Sequence, residues 1–299
     1  MTLRFWKYQG TANDFILLEA TSELQALDWV EWAPRLCDRH RGVGADGILL
    51  LSSAESPERR MRVINADGSE PEMCGNGLRC AVRWWFDQGS LPSDTLVTVQ
   101  TGAGPREAVC QGDGQVRLAM GQPGWRRADI PMLGPAAEEC RGEPVTLEGQ
   151  TLPMTAVSMG NPHAVLLVPD AQLVPLSRWG PLLERDPRFP QRTNVEFISV
   201  INPAEIRMQV WERGVGATMA CGTGACAAAV VVAREGLVNR QVAVHLPGGT
   251  LHVTWAEDDA VWLTGPADHV FSGQVDLAGW GARLTEARVL GRPEVSPLP

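Results

Sequence analysis

The segment MCGNGLRC, residues 73–80, is answered much later in the chain by MACGTGAC, residues 219–226. The leading cysteines, Cys74 and Cys221, lie 147 positions apart (221 − 74), close to half of the 299 residues. Other residues keep that offset. Asn65 ends the strand-like MRVIN and Glu212 ends IRMQVWE, and 212 − 65 is again 147. Gly89 and Gly236, each placed as a glycine that closes a helix, also differ by 147. Gly47 in GADGILLL matches Asn194 in RTNVEFIS at 147, and Asn13 in ANDFILLE matches Asn161 in NPHAVLLV at 148. A solenoid needs several short repeats, so a single copy of a unit this long implies two homologous domains.

Each half reads strand, loop, strand, loop, and then a Cys-Gly-x-Gly that opens a helix, predicted at about 78–88 and 224–235. VTVQT, QVRLAM, PMTAVSM, AVLLVP, VEFISV, VAVHLPG, LHVTWA and AVWLTGPA alternate and are rich in Val, Thr and Trp, as strands are. The expected class is α+β, two pseudo-symmetric domains, each a curled, mostly antiparallel sheet around a central helix, with the active site in the cleft between them. The break falls at GQPG, residues 121–124. The domains are then residues 1–120 with a returning segment 268–299, and residues 121–267. The proline-rich end GRPEVSPLP reads as a frayed tail.

Composition narrows the partners. A net charge of −9 without a basic run disfavours nucleic acid. No window approaches the roughly 18 apolar residues of a membrane span. The start, MTLRFWKYQG, lacks a signal-peptide core, and seven scattered cysteines, an odd number, suit free thiols in a reducing cytoplasm.

The chemistry is expected in the two cysteine loops. A helix N-terminus gathers unpaired N–H groups and a positive dipole end, which lowers a cysteine pKa and cradles a carboxylate or phosphate. Gly75, Gly77, Gly222 and Gly224 leave room for close approach. Two such loops facing each other would hold a planar carbanion between two thiols. One takes a proton, the other returns it on the opposite face, and the stereocentre inverts. Cys37, Cys80, Cys110, Cys140 and Cys226 read instead as small buried hydrophobes. The cysteine spacings do not fit zinc, no Cys-x-x-Cys supports a dithiol couple, and no metal is expected. GVGADG, residues 42–47, matches a dinucleotide fingerprint as a string but precedes a strand, so it reads as a turn. Lys7, the chain's one lysine, lies in the first strand candidate with no phosphate loop, a poor Schiff base, so the chemistry is expected to need no cofactor.

NADGSEPEMCGNGLRC, VSMGNPH, FPQRTNVEF and WERGVGATMACGTGACAA, in this order, resemble the successive signatures of the diaminopimelate epimerases. The resemblance runs from about Phe5 to Phe271. It implies interconversion of LL- and meso-diaminopimelate, toward lysine and peptidoglycan, by a cytoplasmic homodimer. It makes Cys74 and Cys221 the acid/base pair, with His163 and Glu212 as auxiliary catalytic residues. It assigns Gly75, Asn76, Gly222 and Thr223 to the carboxylate at the reacting carbon. Asn13, Asn65, Asn161, Asn194, Glu212 and Arg213 match its substrate-binding polar groups. Gly47 stands where some members carry a glutamine and leaves only backbone; Phe271 stands where some carry an interface tyrosine. Two further readings are the same two-thiol chemistry on another amino acid, such as histidine, and a solute-binding protein whose cysteines do no chemistry.

Overall fold

The computed structural model describes residues 1–277; the expected tail and residues 278–299 of the returning segment lie outside the described residues. The first half runs β1 (Thr2–Gly10), β2 (Asn13–Glu19), α1 (Ser22–Gln25), α2 (Trp29–Cys37), β3 (Gly47–Leu51), β4 (Arg59–Asn65), α3 (Gly75–Asp87), β5 (Leu96–Thr101), β6 (Gly104–Cys110) and β7 (Val116–Gly121). The second runs β8 (Glu143–Leu147), β9 (Gln150–Ser158), β10 (Pro162–Leu167), α4 (Leu176–Glu184), β11 (Asn194–Asn202), β12 (Glu205–Glu212), β13 (Gly216–Ala217), α5 (Gly222–Arg234), β14 (Gln241–Leu246), β15 (Gly249–Trp255) and β16 (Val261–Gly265). A last strand, β17 (Asp268–Asp276), follows.

The halves repeat in pairing as well as in order. In the first, β1–β2, β3–β4, β5–β6 and β6–β7 are antiparallel, whereas β2–β3 and β4–β5 are parallel. In the second, β9–β10, β11–β12, β14–β15 and β15–β16 are antiparallel, whereas β10–β11 and β12–β14 are parallel. The offset reaches the outer helices: α2 starts at Trp29 and α4 at Leu176, and 176 − 29 is 147. β7 pairs antiparallel with β16, which joins the two sheets. β17 returns to the first half and pairs antiparallel with β1.

Each sheet buries both faces. On the inner face of the first lies α3, with Leu78, Val82, Trp84 and Trp85 among Trp6, Leu17, Leu49 and Val63. On its outer face lie Trp29, Ala33 and Leu36 of α2. Trp84, 1% exposed, meets Trp6 edge-on with centroids 5.1 Å apart. Truncating Trp84 to Ala would cost about 3–5 kcal/mol. α5 carries Val230, Val231 and Val232, a β-branched run with poor helix propensity. All three are buried in the second core, and that packing outweighs propensity.

Both central helices start two to three residues before the sequence pattern predicts. The side chain of Cys74 accepts a hydrogen bond from the backbone N–H of Gly77, and that of Cys221 from Gly224. Each thiol thus caps its helix, and the following glycine-rich triplet becomes a first turn rather than a loop.

Candidate active site

Each cysteine stands at the join of a loop and a central helix, as the residue that caps it. Cys74 Sγ lies 3.4 Å from Gly77 N, and Cys221 Sγ lies 3.4 Å from Gly224 N. A turn of the following hairpin pins each loop from behind. Ala103 N–H donates to Glu72 O at 2.9 Å, and Gly248 N–H donates to Met219 O at 2.8 Å. Beside Gly75 the space is open: an added Cβ would meet nothing within 4 Å.

The two loops meet across the halves. Asn76, in the first turn of α3, donates from Nδ2 to the carbonyl of Ala220, the residue before Cys221, at 3.5 Å. The same amide donates to Asn13 Oδ1 at 3.2 Å, and that oxygen lies 3.9 Å from Cys74 Sγ. Glu212 belongs to both thiols, since its carboxylate acts electrostatically on Cys74 and accepts a hydrogen bond from Cys221. The Thr218 hydroxyl donates to Glu212 and holds it there.

Asn13 is itself held by a charged cluster. Its Nδ2 donates to Asp46 Oδ2 at 2.9 Å, and Arg39 bridges Asp46 and Asp14 at 2.8 and 2.6 Å. Buried Lys7 meets Asp14 at 2.7 Å. Burial pushes the Asp14 carboxyl up, but hydrogen bonds from Arg39 and Lys7 outweigh it and hold the group well below the usual carboxylate range. The lone lysine therefore braces the loop that carries Asn13.

Behind Cys221 stands a polar chain. Thr223 Oγ1 lies 3.5 Å from the sulfur, and Asn161 Nδ2 donates to that hydroxyl at 3.4 Å. Asn161 Oδ1 lies 2.9 Å from His163 Nε2, and His163 Nδ1 lies 2.7 Å from Glu196 Oε1. His163 and Glu196 are both 0% exposed. Behind Cys74 the repeat places Phe15 and Leu49 instead, in the same β2 and β3 positions, and both are buried in the apolar core.

The remaining predicted residues sit around this centre. Asn194 is buried, pairs with His163 in the β10–β11 register, donates to Pro162 O at 2.9 Å and accepts from Arg213 N at 2.9 Å. The Arg213 guanidinium is exposed and near Gln191 O at 3.4 Å. Asn65 is exposed, donates to Ser69 Oγ at 2.9 Å and faces Gly47 in the β3–β4 register. A Cβ on Gly47 would lie 2.7 Å from Ile64 O, so only glycine fits there. Gly222 opens α5 as Gly75 opens α3.

The expectation that the helix ends depress the thiol pKa values is corrected. Burial pushes the Cys74 thiol up, and Glu212 adds to it; the Gly77 N–H and the nearby Arg79 pull the other way without prevailing. Burial pushes Cys221 well up, and Glu212 pushes in the same direction, as a charged Glu196 would, against donors from Thr223 and Gly224. Desolvation by the closed, packed loops exceeds the effect of one helix end. Glu212 is also raised, again by burial first, against hydrogen bonds from Thr218 and Cys221. A carboxylate of raised pKa beside a thiol is fit to take its proton.

Three contributors escape the sequence reading: Glu196, Thr218 and Arg79. Arg79 is fully buried, donating to Pro266 O at 3.2 Å and Thr11 Oγ1 at 2.9 Å. Among the described residues, no group of three or more His, Cys, Asp or Glu side chains is placed to hold a metal ion.

A family model described as diaminopimelate epimerase matches residues 5–125 and 155–270. The chain belongs to the diaminopimelate epimerase family. It is 47% identical over 277 residues to the diaminopimelate epimerase of Pelotomaculum thermopropionicum, covering 91% of this chain and 98% of that one. Against the diaminopimelate epimerase of Synechocystis sp. it is 44% identical over 280 residues, covering 93% and 100%. Among solved structures, a Bacillus anthracis phenazine biosynthesis protein of the PhzF family superposes with a TM-score of 0.66 at 16% identity, over 93% of this chain and 100% of that one. A hydroxyproline epimerase from Agrobacterium vitis, with bound trans-4-hydroxy-L-proline, superposes at 0.64 and 18% identity, over 92% and 91%. At such identities these two share the fold, and the α+β architecture expected from the repeat is the one they have. The family match leaves out residues 126–154, which hold β8, a strand added to the edge of the second sheet beside β9.

Proposed function

We propose that the chain interconverts LL- and meso-2,6-diaminopimelate without a cofactor, using Cys74 and Cys221 as the acid/base pair. One observation carries this: the loops that carry the two capping thiols touch, linked by the Asn76–Ala220 hydrogen bond, with Glu212 acting on both thiols. One sulfur, as thiolate, removes the α-hydrogen; the other, as thiol, delivers a proton to the opposite face. Glu212 receives the proton of Cys221 when that thiol is the base. Gly75, Asn76, Gly222 and Thr223 hold the carboxylate beside the reacting carbon at the two helix ends, where N–H donors stabilise the growing negative charge.

The distal end of the substrate carries an ammonium and a carboxylate. Arg213 takes the carboxylate as a bidentate partner, and Asn13, Asn65, Asn161 and Asn194 supply neutral donors and acceptors. The two lobes, residues 1–120 with the returning strand and residues 121–267, close on the substrate and exclude water, which strengthens these interactions. We further propose a cytoplasmic homodimer. β17 supports the dimer: it carries Val270 at 54% and Phe271 at 44% exposure, and among the described residues it pairs with β1 alone. Seven free cysteines support the reducing compartment. Among the described residues, no helix is long and apolar enough to cross a membrane.

The test is exchange of the α-hydrogen of diaminopimelate in deuterated water, followed by NMR, for the parent and for Cys74→Ala and Cys221→Ala. Exchange and epimerisation by the parent, with epimerisation lost in both variants, supports the function. Exchange with a different amino acid only, or binding without exchange, overturns it.

A further inference from the structure

The two halves match in the strands and helix that frame each thiol, but the settings of the thiols themselves differ. Gly77 and Gly224 hold equivalent places, and an added Cβ measures what stands behind each. On Gly77 it would meet Leu49 Cδ2 at 3.1 Å and Cys74 Sγ at 3.6 Å. On Gly224 it would meet Glu196 Oε1 at 2.7 Å and Cys221 Sγ at 3.3 Å. A carboxyl group thus takes the place of a leucine, wholly buried against the first turn of α5.

Its hydrogen bonds fix where protons stand. Asn161 Nδ2 donates to Thr223 Oγ1, so Asn161 Oδ1 faces His163 Nε2 as an acceptor, and Nε2 must carry hydrogen. The hydroxyl hydrogen of Thr223 is then free to point at Cys221 Sγ. The bond between His163 Nδ1 and Glu196 Oε1 holds one further proton, so the pair is neutral overall, as histidine with carboxylic acid or as imidazolium with carboxylate. Glu196 Oε2 is buried with no partner among the described residues, which disfavours a full negative charge left uncompensated there. Every donor in the chain then runs one way, from His163 through Asn161 and Thr223 to the sulfur. Cys74 has the opposite polarity: its thiol faces the acceptor oxygen of Asn13.

We propose that Glu196 is a positioning residue for the epimerase reaction, which by keeping a proton on its pair with His163 holds this chain donating toward Cys221 and makes the two thiols unequal. Cys221 is the sulfur prepared to stand as thiolate once Glu212 has taken its proton, and Cys74 is the one prepared to stand as thiol. This rests on the proposed two-thiol function and adds a direction to it. The charged and titratable groups that face Cys221 are Glu212 on β12, Glu196 on β11 and, through Asn161 and Thr223, His163 on β10.

The experiment follows thiolate formation by ultraviolet absorbance against pH, as the difference between each full-length protein and its Cys221→Ala form. Glu196→Leu copies the residue of the first half. If Glu196 acts through the chain, the Cys221 midpoint rises by about one pH unit, a tenfold loss of thiolate at fixed pH. The Cys74 midpoint, read against Cys74→Ala, stays in place. Glu196→Gln, whose amide can donate to Nδ1 and keep hydrogen on Nε2, stays near the parent. If Glu196 acted only as a nearby negative charge, both variants would lower the Cys221 midpoint, and that result overturns the proposal. An unmoved midpoint in a folded Glu196→Leu overturns it as well. Should Glu196→Leu fail to fold, the isosteric Gln variant still decides between retention and a fall. Exchange of the α-hydrogen of diaminopimelate by the parent is measured separately, so a failed function and a failed role for Glu196 give different results.

Discussion

Asn76 Nδ2 reaches from α3 in the first half to the carbonyl of Ala220 in the second, 3.5 Å away, and so ties one thiol loop to the other. Asn76→Leu keeps the branched outline of the side chain and removes the tie. It should lower kcat/KM by about 5- to 150-fold, the range for about 1–3 kcal/mol lost when a buried partner is left unsatisfied. Steady-state kinetics with diaminopimelate measure this, and an unchanged kcat/KM would remove the tie from the mechanism.

The proposed function sets the two thiols on either side of one carbon, where they would also be placed to join. Mild oxidation should link Cys74 to Cys221 and abolish activity, and a reducing agent should restore both. Peptide mapping before and after reduction reads the link. A sample fully oxidised elsewhere but still active would contradict the facing arrangement.

Glycine substitutions in the cradle should separate stability from activity. Gly75→Ala meets nothing and lies in a helix, so stability should hold or rise by up to about 1 kcal/mol. Activity should fall, because the methyl group occupies the space proposed for the carboxylate. Gly224→Ala places a Cβ 2.7 Å from Glu196 Oε1 and should cost about 1–3 kcal/mol as well as activity. Urea melts and kinetics on both variants suffice.

The cluster that braces Asn13 carries a pH signature. The Asp14 carboxyl is lowered in the folded protein, so its contribution to stability is complete above the unfolded pKa, near 4, and fades as pH falls below it. Asp14→Asn should therefore be less stable than the parent by about 2–4 kcal/mol at neutral pH. The gap should narrow in acid. A gap that is constant between neutral and acid pH would show that Asp14 is not the group that titrates.

The duplication was legible because helices, strands and glycine turns keep one offset, and the offset extends to α2 and α4. The start of each central helix was not, because Gly-Asn-Gly reads as a turn until Cys74 is seen to accept from Gly77 N. Glu196 was hidden for a different reason. β11 is buried on both faces from Asn194 to Val195, Phe197 and Ile198, so alternation does not mark the residue as inward or outward. The mismatch of Glu196 with Leu49 in the repeat was the available signal. The raised thiols were beyond reach, since desolvation depends on packing between halves that are far apart in the chain.

The return of β17 to β1 sets an order on synthesis. Thr2 pairs with Asp276, which a ribosome adds 274 residues later (276 − 2). A nascent first lobe can wrap its sheet around α3 while the second is still being made, but one edge of β1 stays bare until nearly the whole described chain has emerged. That edge offers backbone groups to any neighbouring strand in the meantime. Completion of the first lobe thereby waits on synthesis of the second, and shielding of β1 in the meantime is a demand the topology places on the cell.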